Sequence, residues 1–248
     1  MKLGRILKSI SFRFRKNLSL FKRQMMEDVA HPVPLGKLYP ILDDAKKESG
    51  IGDKIYFFQD LYVAQEIFKV QPVRHVDIGS RVDGLIAHVA SFREIEMFDI
   101  RPLSSSIRNV KFTKCDLMET LSPDLIECTD SLSCLHAIEH FGLGRYGDPI
   151  DVNGHLKGFS NLAKMVKTGG TFYFSVPLGP LRVEFNAHRV FSMEYLLKMV
   201  QGEFEIKKFA YVSEKGELYV DALWDGEDAK RNFDCKYGCA IFTLVKRG

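Results

Sequence analysis

The chemistry-bearing residues concentrate in the stretch CLHAIEHFGLGRYGD, Cys134 to Asp148. Within it, His136, Glu139 and His140 spell H-x-x-E-H, the pattern of inverted zinc peptidases. Such a metal-dependent hydrolase needs both histidines on one helix, a turn apart, and a further acidic ligand downstream. The local sequence opposes this. The stretch continues the apolar run TDSLSCL, and Gly142 and Gly144 follow directly, so one short turn is all that fits. No downstream acid stands out in a helical frame. A divalent metal on Glu139 and His140, with Asp148 or Asp151 contributing, is a lesser option, and no metal ligand set is expected. The stronger reading is acid–base chemistry, because an imidazole exchanges a proton near neutral pH. His140 is the first candidate base and His136 the second. His188, in NAHRVF with Arg189, is a rival base, and Arg189 would meet an acidic group. The bland alternative for each histidine is a structural residue at a strand exit.

Polar groups at strand ends must position such a base. VRHVDIG is a short apolar run ending at a glycine, the first strand of the main domain. Asp77 lies inside its end, and Gly79 and Ser80 make the turn. A bare glycine there lets backbone approach a ligand. Gly84 opens the following helix, where amide donors point into the crevice of an open parallel sheet. The second strand, REIEMFDIRP, ends at Asp99, about twenty residues on, the spacing at which an acid accepts ribose hydroxyls. The third, NVKFTKCDL, ends at Asp116 and Leu117, a polar group beside an apolar cover. The fourth is TDSLSCLHAI. FGLGRYGDPIDVNG, with glycines 142, 144 and 147, reads as tight turns or a mobile lid on the substrate side.

The spacing then predicts a helix with Leu156, Phe159, Leu162, Met165 and Val166 on one face, stopped by Gly169-Gly170. TFYFSVPLG is a fifth strand. FSMEYLLKMV is a helix capped by Ser192. EFEIKKFAYV and CAIFTLVKRG are the last two strands, joined by residues 216–234. Strands alternating with helices imply an α/β fold, a parallel sheet covered on both faces. Upstream, DLYVAQEIFKV reads as a helix capped by Asp60 with Leu61, Ala64, Ile67 and Phe68 on one face, stopped by Pro72. The expected organisation is a basic arm over 1–30, a helical extension over 31–72 and the main domain over 73–248.

These pieces resemble a class I S-adenosylmethionine-dependent methyltransferase over about residues 70–247. The resemblance rests on HVDIGSRVDG, on FDI with Asp99, on KCDL with Asp116, on SCLHAIEHFG, and on LAKMVKTGGTFYFSVPLG. More closely, the chain is similar to a methyltransferase-like family with members in nematodes, plants and bacteria, whose membership implies no substrate. The resemblance implies a Rossmann-like sheet of seven strands, the last antiparallel and inserted beside strand five. It implies S-adenosylmethionine as cofactor, with Asp77, Gly79, Ser80 and Gly84 along its methionine part, Asp99 on the ribose, Asp116 and Leu117 flanking adenine, and His136 near the methyl path. The acceptor would be a small molecule, a glycan or a lipid-linked compound, methylated on oxygen. Arg81 and Asp83 stand where that family usually has glycine. They keep open a second reading, a non-catalytic binding or scaffold protein on the same fold.

Composition narrows the partners. The chain has 248 residues, 46% hydrophobic and 27% charged, with a formal net charge of +3. That suits an ordinary globular protein and is too small a charge to imply nucleic acid. The cysteines, at 115, 128, 134, 235 and 239, form no C-x-x-C pair and point to buried thiols in a reducing compartment. MKLGRILKSISFRFRKNLSLFKRQMMED carries eight basic residues before Glu27, with apolar residues mostly three and four apart. This basic amphipathic pattern suits attachment of residues 1–28 to an anionic membrane surface or a partner, against packing on the domain. His31-Pro-Val-Pro34 closes the arm. No run is long enough to cross a membrane, so a cytoplasmic protein is expected, free or at the cytoplasmic face of a membrane.

Overall fold

The computed structural model describes residues 2–28, 33–42, 50 and 52–248, with side chains from Phe12 onward. His31 and Pro32, and the arm side chains before Phe12, lie outside the described residues. The chain forms two compact units, Met1–Ile51 and Gly52–Gly248. The first carries α1 (Lys2–Glu27), on which Phe12, Leu20, Phe21 and Met26 are exposed. Among the described residues, no helix is long and apolar enough to cross a membrane.

The second unit starts with α2 (Lys54–Val70). Its N-cap is Asp53, whose carboxylate accepts from the Ile55 and Tyr56 amides. Asp60 is therefore not the cap; it lies inside the helix and is buried. The buried face runs through Val63, Ala64 and Ile67, while Phe68 is exposed. β1 (His75–Ile78) then enters the sheet. A turn over Val82–Ile86, broken at Gly84, and α3 (Ala87–Ala90) replace the single helix expected to open at Gly84. β2 (Ile95–Asp99), β3 (Val110–Lys114) and β4 (Thr129–Leu135) follow.

α4 (Gly154–Met165) ends four residues before the Gly-Gly pair. β5 (Val166–Leu178) starts at Val166, so Gly169 and Gly170 sit inside a strand rather than ending a helix. The register against β4 shifts just there, between Thr129 and Ser131, which is where a bulge tolerates glycine. Leu156, expected inward, is exposed. A hairpin of β6 (Arg182–Glu184) and β7 (His188–Val190) carries His188 and Arg189. α5 (Met193–Val200) is capped by Ser192, which accepts from the Tyr195 amide. β8 (Phe204–Val212), β9 (Leu218–Tyr219), α6 (Glu227–Lys230) and β10 (Gly238–Lys246) complete the unit.

The main sheet has the order β3-β2-β1-β4-β5-β10-β8-β9. β3 to β5 pair in parallel, and β10 runs antiparallel between β5 and β8. The expected α/β sheet with its inserted antiparallel strand is present, and β9 adds a two-residue edge. One face buries Phe159, Phe172, Phe174, Phe204 and Phe242 with Leu196 and Val200 of α5. The other buries Val63 and Ile67 of α2 with Leu85, Val89 and Ile241. Apolar cover on both faces explains why the central strands β1, β4 and β5 read as largely apolar runs, while edge strand β3 is mostly exposed. It also leaves the carboxyl ends of β1 to β4 as the place where polar groups can gather.

Candidate functional site

Those strand ends open onto a cavity of about 330 Å³, within the size range of small-molecule sites. Gly79, Ser80, Asp99, Asp116, Leu117, His136 and His140 line it. Asp77, Gly84 and His188 are not among its lining residues. Tyr56, Gln59 and Asp60 of α2, Arg101 after β2, and Arg145 and Tyr146 after β4 also line it.

Asp77 is fully buried and turns inward. It accepts from the Ser80 amide at 3.0 Å, the Ser80 hydroxyl at 2.7 Å and the Ser133 hydroxyl at 2.5 Å. Burial raises its carboxyl to about 6, against the pull of these hydrogen bonds. Ser133 spends its only proton on Asp77, so it accepts from His75 Nε2 at 3.1 Å, and the Ser131 hydroxyl donates to Nδ1 at 2.8 Å. Burial holds His75 near 3, hence neutral. Asp77 thus staples the turn that Gly79 makes. Gly79 has φ of 70°, and a Cβ there would stand 3.0 Å from the Ala137 Cβ. Gly84 serves a different neighbour: a Cβ would fall 2.3 Å from Asp60 Oδ2. Its bareness lets α2 bring Asp60 to the cavity wall. Arg81 and Asp83, the residues at glycine positions, pair with each other at 2.8 Å and are both exposed. The Arg81 guanidinium lies 5.6 Å over the Tyr56 ring.

Asp99 is 7% exposed and held by its near neighbour Arg101. The Arg101 amide, Nε and Nη2 donate to it at 2.8, 3.0 and 2.6 Å. Arg101 in turn lies 4.5 Å over the Tyr146 ring. Asp116 Oδ1 accepts from the Met118 amide at 2.9 Å; its second oxygen has no hydrogen-bond partner among the described residues. Leu117 beside it is buried.

The H-x-x-E-H stretch is not a helix. His136 has φ of 50°, a left-handed residue, and Ile138–His140 is a single 3-10 turn. Among the described residues, no group of three His, Cys, Asp or Glu side chains could hold a metal ion. His136 Nδ1 donates to Gln59 Oε1 at 2.5 Å, which also accepts from the Ser175 hydroxyl at 2.5 Å. Burial lowers His136 to about 3. His140 Nδ1 donates to the Ala187 carbonyl at 2.7 Å, and burial lowers it to about 4. Both rings are therefore neutral at pH 7 and keep Nε2 as a lone pair. His140 Nε2 stands 3.7 Å from Glu139 Oε1. Burial lifts Glu139 to about 8, and its Oε2 has no partner among the described residues. This is a contact of neutral groups, not an ion pair. His188 lies one residue beyond Ala187, its ring 6.5 Å from that of His140 and its Nε2 3.1 Å from Glu184.

Glu139 makes stability pH-dependent with a definite sign. Its folded value lies above the ordinary carboxylate range, so the folded state holds the proton more tightly. The stability this gives is present at pH 5 and is lost as pH rises through about 8. Glu139→Gln keeps the neutral shape. Its melting temperature should therefore exceed that of wild type at pH 9, and not at pH 5, by at least the 2–4 °C or so that 1 kcal/mol produces at this size. Parallel melting profiles from pH 5 to 9 would contradict this.

The insertion after β4 is built, not loose. Asp148 accepts from the amides of Gly142, Gly144 and Tyr146, which holds its carboxylate below the usual range despite burial. Arg189, read as meeting an acidic group, is 4% exposed and donates to the carbonyls of Glu139 and Phe141. Asp151, the other acid considered for a metal, pairs with Lys157 at 2.5 Å. Sequence reasoning missed Gln59, Asp60, Arg101 and Arg145 as wall residues. The one available signal was the Gln59-Asp60 pair, polar on the helix face that Val63 and Ile67 bury.

No curated protein sequence matches the chain. Among solved structures, it is similar to the [4+2]-cyclase SpnF, at 16% identity and a TM-score of 0.53, over 79% of this chain and 85% of that one. It is similar also to the 1,6-didemethyltoxoflavin-N1-methyltransferase of Burkholderia thailandensis, solved with 1,6-didemethyltoxoflavin and S-adenosylhomocysteine bound. That match has 14% identity and a TM-score of 0.52, over 76% of this chain and 79% of that one. At such identities the likeness speaks for the fold alone, the class I methyltransferase fold. Residues 86–233, more than half of the chain, match the family described as Caenorhabditis protein of unknown function, DUF268, and the chain belongs to that family.

Proposed function

We propose that the cavity binds S-adenosylmethionine and that the chain transfers its methyl group to an oxygen of a small-molecule acceptor. The observation that carries this reading is the convergence, on one cavity, of Asp99, Asp116, Leu117 and Gly79 with two neutral histidines. The donor set suits the cofactor. Asp99 and the open oxygen of Asp116 are acceptors for ribose hydroxyls and an adenine amino group, Leu117 is an apolar cover, and Gly79 leaves backbone bare for the methionine part. When bound, the cofactor supplies an electrophilic methyl on a sulfonium. The chain's task is to orient the acceptor and remove its proton. His140 is the base. Its Nδ1–H is fixed on the Ala187 carbonyl, so Nε2 takes the acceptor's proton, and the imidazolium, acidic at neutral pH because of its burial, then passes that proton to solvent. His136 is held by Gln59 and orients the acceptor.

A saturating excess of S-adenosylhomocysteine, about 100 Kd, should stabilise the folded protein by about 2.7 kcal/mol, raising the melting temperature by several degrees. No rise at any concentration sinks the reading. The base assignment predicts a methyl-transfer rate that climbs through an apparent pKa near 4 and stays flat to pH 7 and above, because the depressed pKa keeps His140 unprotonated there. His140→Ala should lower the rate by about 10²–10⁴ and remove that acid limb. An unchanged limb would move the role to another group.

SpnF, a cyclase, shares the fold. The Arg101 clasp on Asp99 favours the second reading, a binding protein without transfer, to the extent that ribose fails to displace it.

A further inference from the structure

Arg145 lines the cavity and has no ion-pair partner among the described residues. It projects from the insertion that Asp148 ties together, so its backbone is fixed. Its Nη1 donates to the Ala187 carbonyl at 2.9 Å. That carbonyl also accepts from His140 Nδ1, so the 3.5 Å between Nη1 and Nδ1 is a contact of two donors. The guanidinium lies 5.1 Å over the Tyr146 ring, and Arg101 lies over the same ring. Both arginines and the tyrosine line the cavity.

Of the cavity's carboxyl groups, Asp116 and Asp60 lie beyond ion-pair distance of Arg145, and those nearer are engaged. Arg101 is already neutralised by Asp99 through two side-chain hydrogen bonds. Arg81 is paired with Asp83. Asp148 is saturated by backbone amides. Glu139, the buried carboxyl nearest the His140 ring, is uncharged at neutral pH. Arg145 has no carboxylate within ion-pair distance among the described residues, and one edge of its fork is used. The remaining donors are planar and parallel, the geometry that takes both oxygens of a carboxylate.

We infer that the acceptor carries a carboxylate, gripped by Arg145 next to His140. The role of this grip in catalysis rests on the methyl-transfer reading above; the binding itself does not. In the cofactor-free protein a carboxylate fits better than a phosphate, because a phosphate dianion would call for a second uncancelled cation and Arg101 is there held by Asp99, so the comparison with phosphate is read without S-adenosylhomocysteine. The carboxylate would anchor the acceptor at Arg145 and leave its hydroxyl to reach inward.

The test uses the full-length protein and three probes built on one phenyl ring: the isosteric pair benzoate and benzamide, and phenyl phosphate. Binding is read by ligand-observed NMR, with and without S-adenosylhomocysteine. The expected result is millimolar or tighter binding of benzoate, at least tenfold weaker binding of benzamide, and phenyl phosphate no tighter than benzoate. Arg145→Gln should weaken benzoate at least tenfold, and Arg145→Lys should restore only part of it, since an ammonium cannot fork. Circular dichroism and melting of each variant confirm that it is folded. Equal binding of benzoate and benzamide, or benzoate affinity unmoved by Arg145→Gln in a folded variant, overturns the proposal. Tighter binding of phenyl phosphate overturns the carboxylate. If S-adenosylhomocysteine does not bind while benzoate still depends on Arg145, the cofactor reading falls and the anion site stands.

Discussion

Asp99→Ala is expected to weaken S-adenosylhomocysteine binding by about 100-fold or more. The carboxylate would offer two charge-assisted acceptors to the ribose, each contributing about 1.5–3 kcal/mol, and 100-fold is about 2.7 kcal/mol. The unliganded geometry makes the prediction sharper. Arg101 now holds both oxygens, so a ribose must take that place, and Arg101 is a competitor rather than a helper. Arg101→Ala breaks the same ion pair from the other side. It should leave affinity unchanged or improve it, because a buried carboxylate left short of donors gains most from two hydroxyls. Calorimetric titration of both variants separates the cases. Equal losses in the two would mean that the ion pair itself, and not an acceptor for ribose, is what matters there.

Gly142→Ala is expected to be the most destabilising small substitution in the site. Gly142 has φ of 78°, and a Cβ there would fall 2.0 Å from the Asp151 carbonyl oxygen. That oxygen is backbone and cannot swing away. The Gly142 amide donates to Asp148, and its carbonyl accepts from the Asp151 amide. Backbone strain at a left-handed residue costs on the order of 1–3 kcal/mol, and the clash adds to it. With each kcal/mol worth about 2–4 °C at this size, thermal denaturation should shift down by about 6 °C or more. Gly147→Ala, with φ of 86° and open space around its Cβ, should lose only the strain and serves as the control. Matching melting temperatures for the two variants would mean that the insertion yields freely, contrary to the built loop described above.

The parts of this architecture that were legible in the sequence were those set by local pattern. Apolar runs marked β1, β2, β4 and β5 because strands covered on both faces carry few polar residues, and Asp99 stood out because it closes such a run. Edge strand β3 is mostly exposed, and Asp116 was legible only from its place at that strand's end. Ser192 announced α5 because a cap acts on amides a few residues away. What stayed hidden depends on contacts between distant segments. Asp60 looked like a cap, and only the packing of α2 against Gly84 makes it a cavity wall. Arg101 follows Asp99 so closely that proximity alone could not tell a clasp from a pair of outward side chains. Gly169-Gly170 reads as a helix stop, yet the helix had ended at Met165 and the glycines ride in a strand. The H-x-x-E-H letters suggested a helix that Gly142 and Gly144 forbid. The left-handed His136 that replaces it has no signature in the sequence, because its conformation is fixed by Gln59 and Ser175 from elsewhere in the chain.

The central claim is that the strand-end cavity is a cofactor site, and calorimetric titration of the wild-type protein with S-adenosylhomocysteine tests it most directly. Saturable heat with one site per chain and a micromolar Kd, lost in Asp99→Ala and kept in Arg101→Ala, is the predicted result. A folded protein that gives no heat of binding would contradict it.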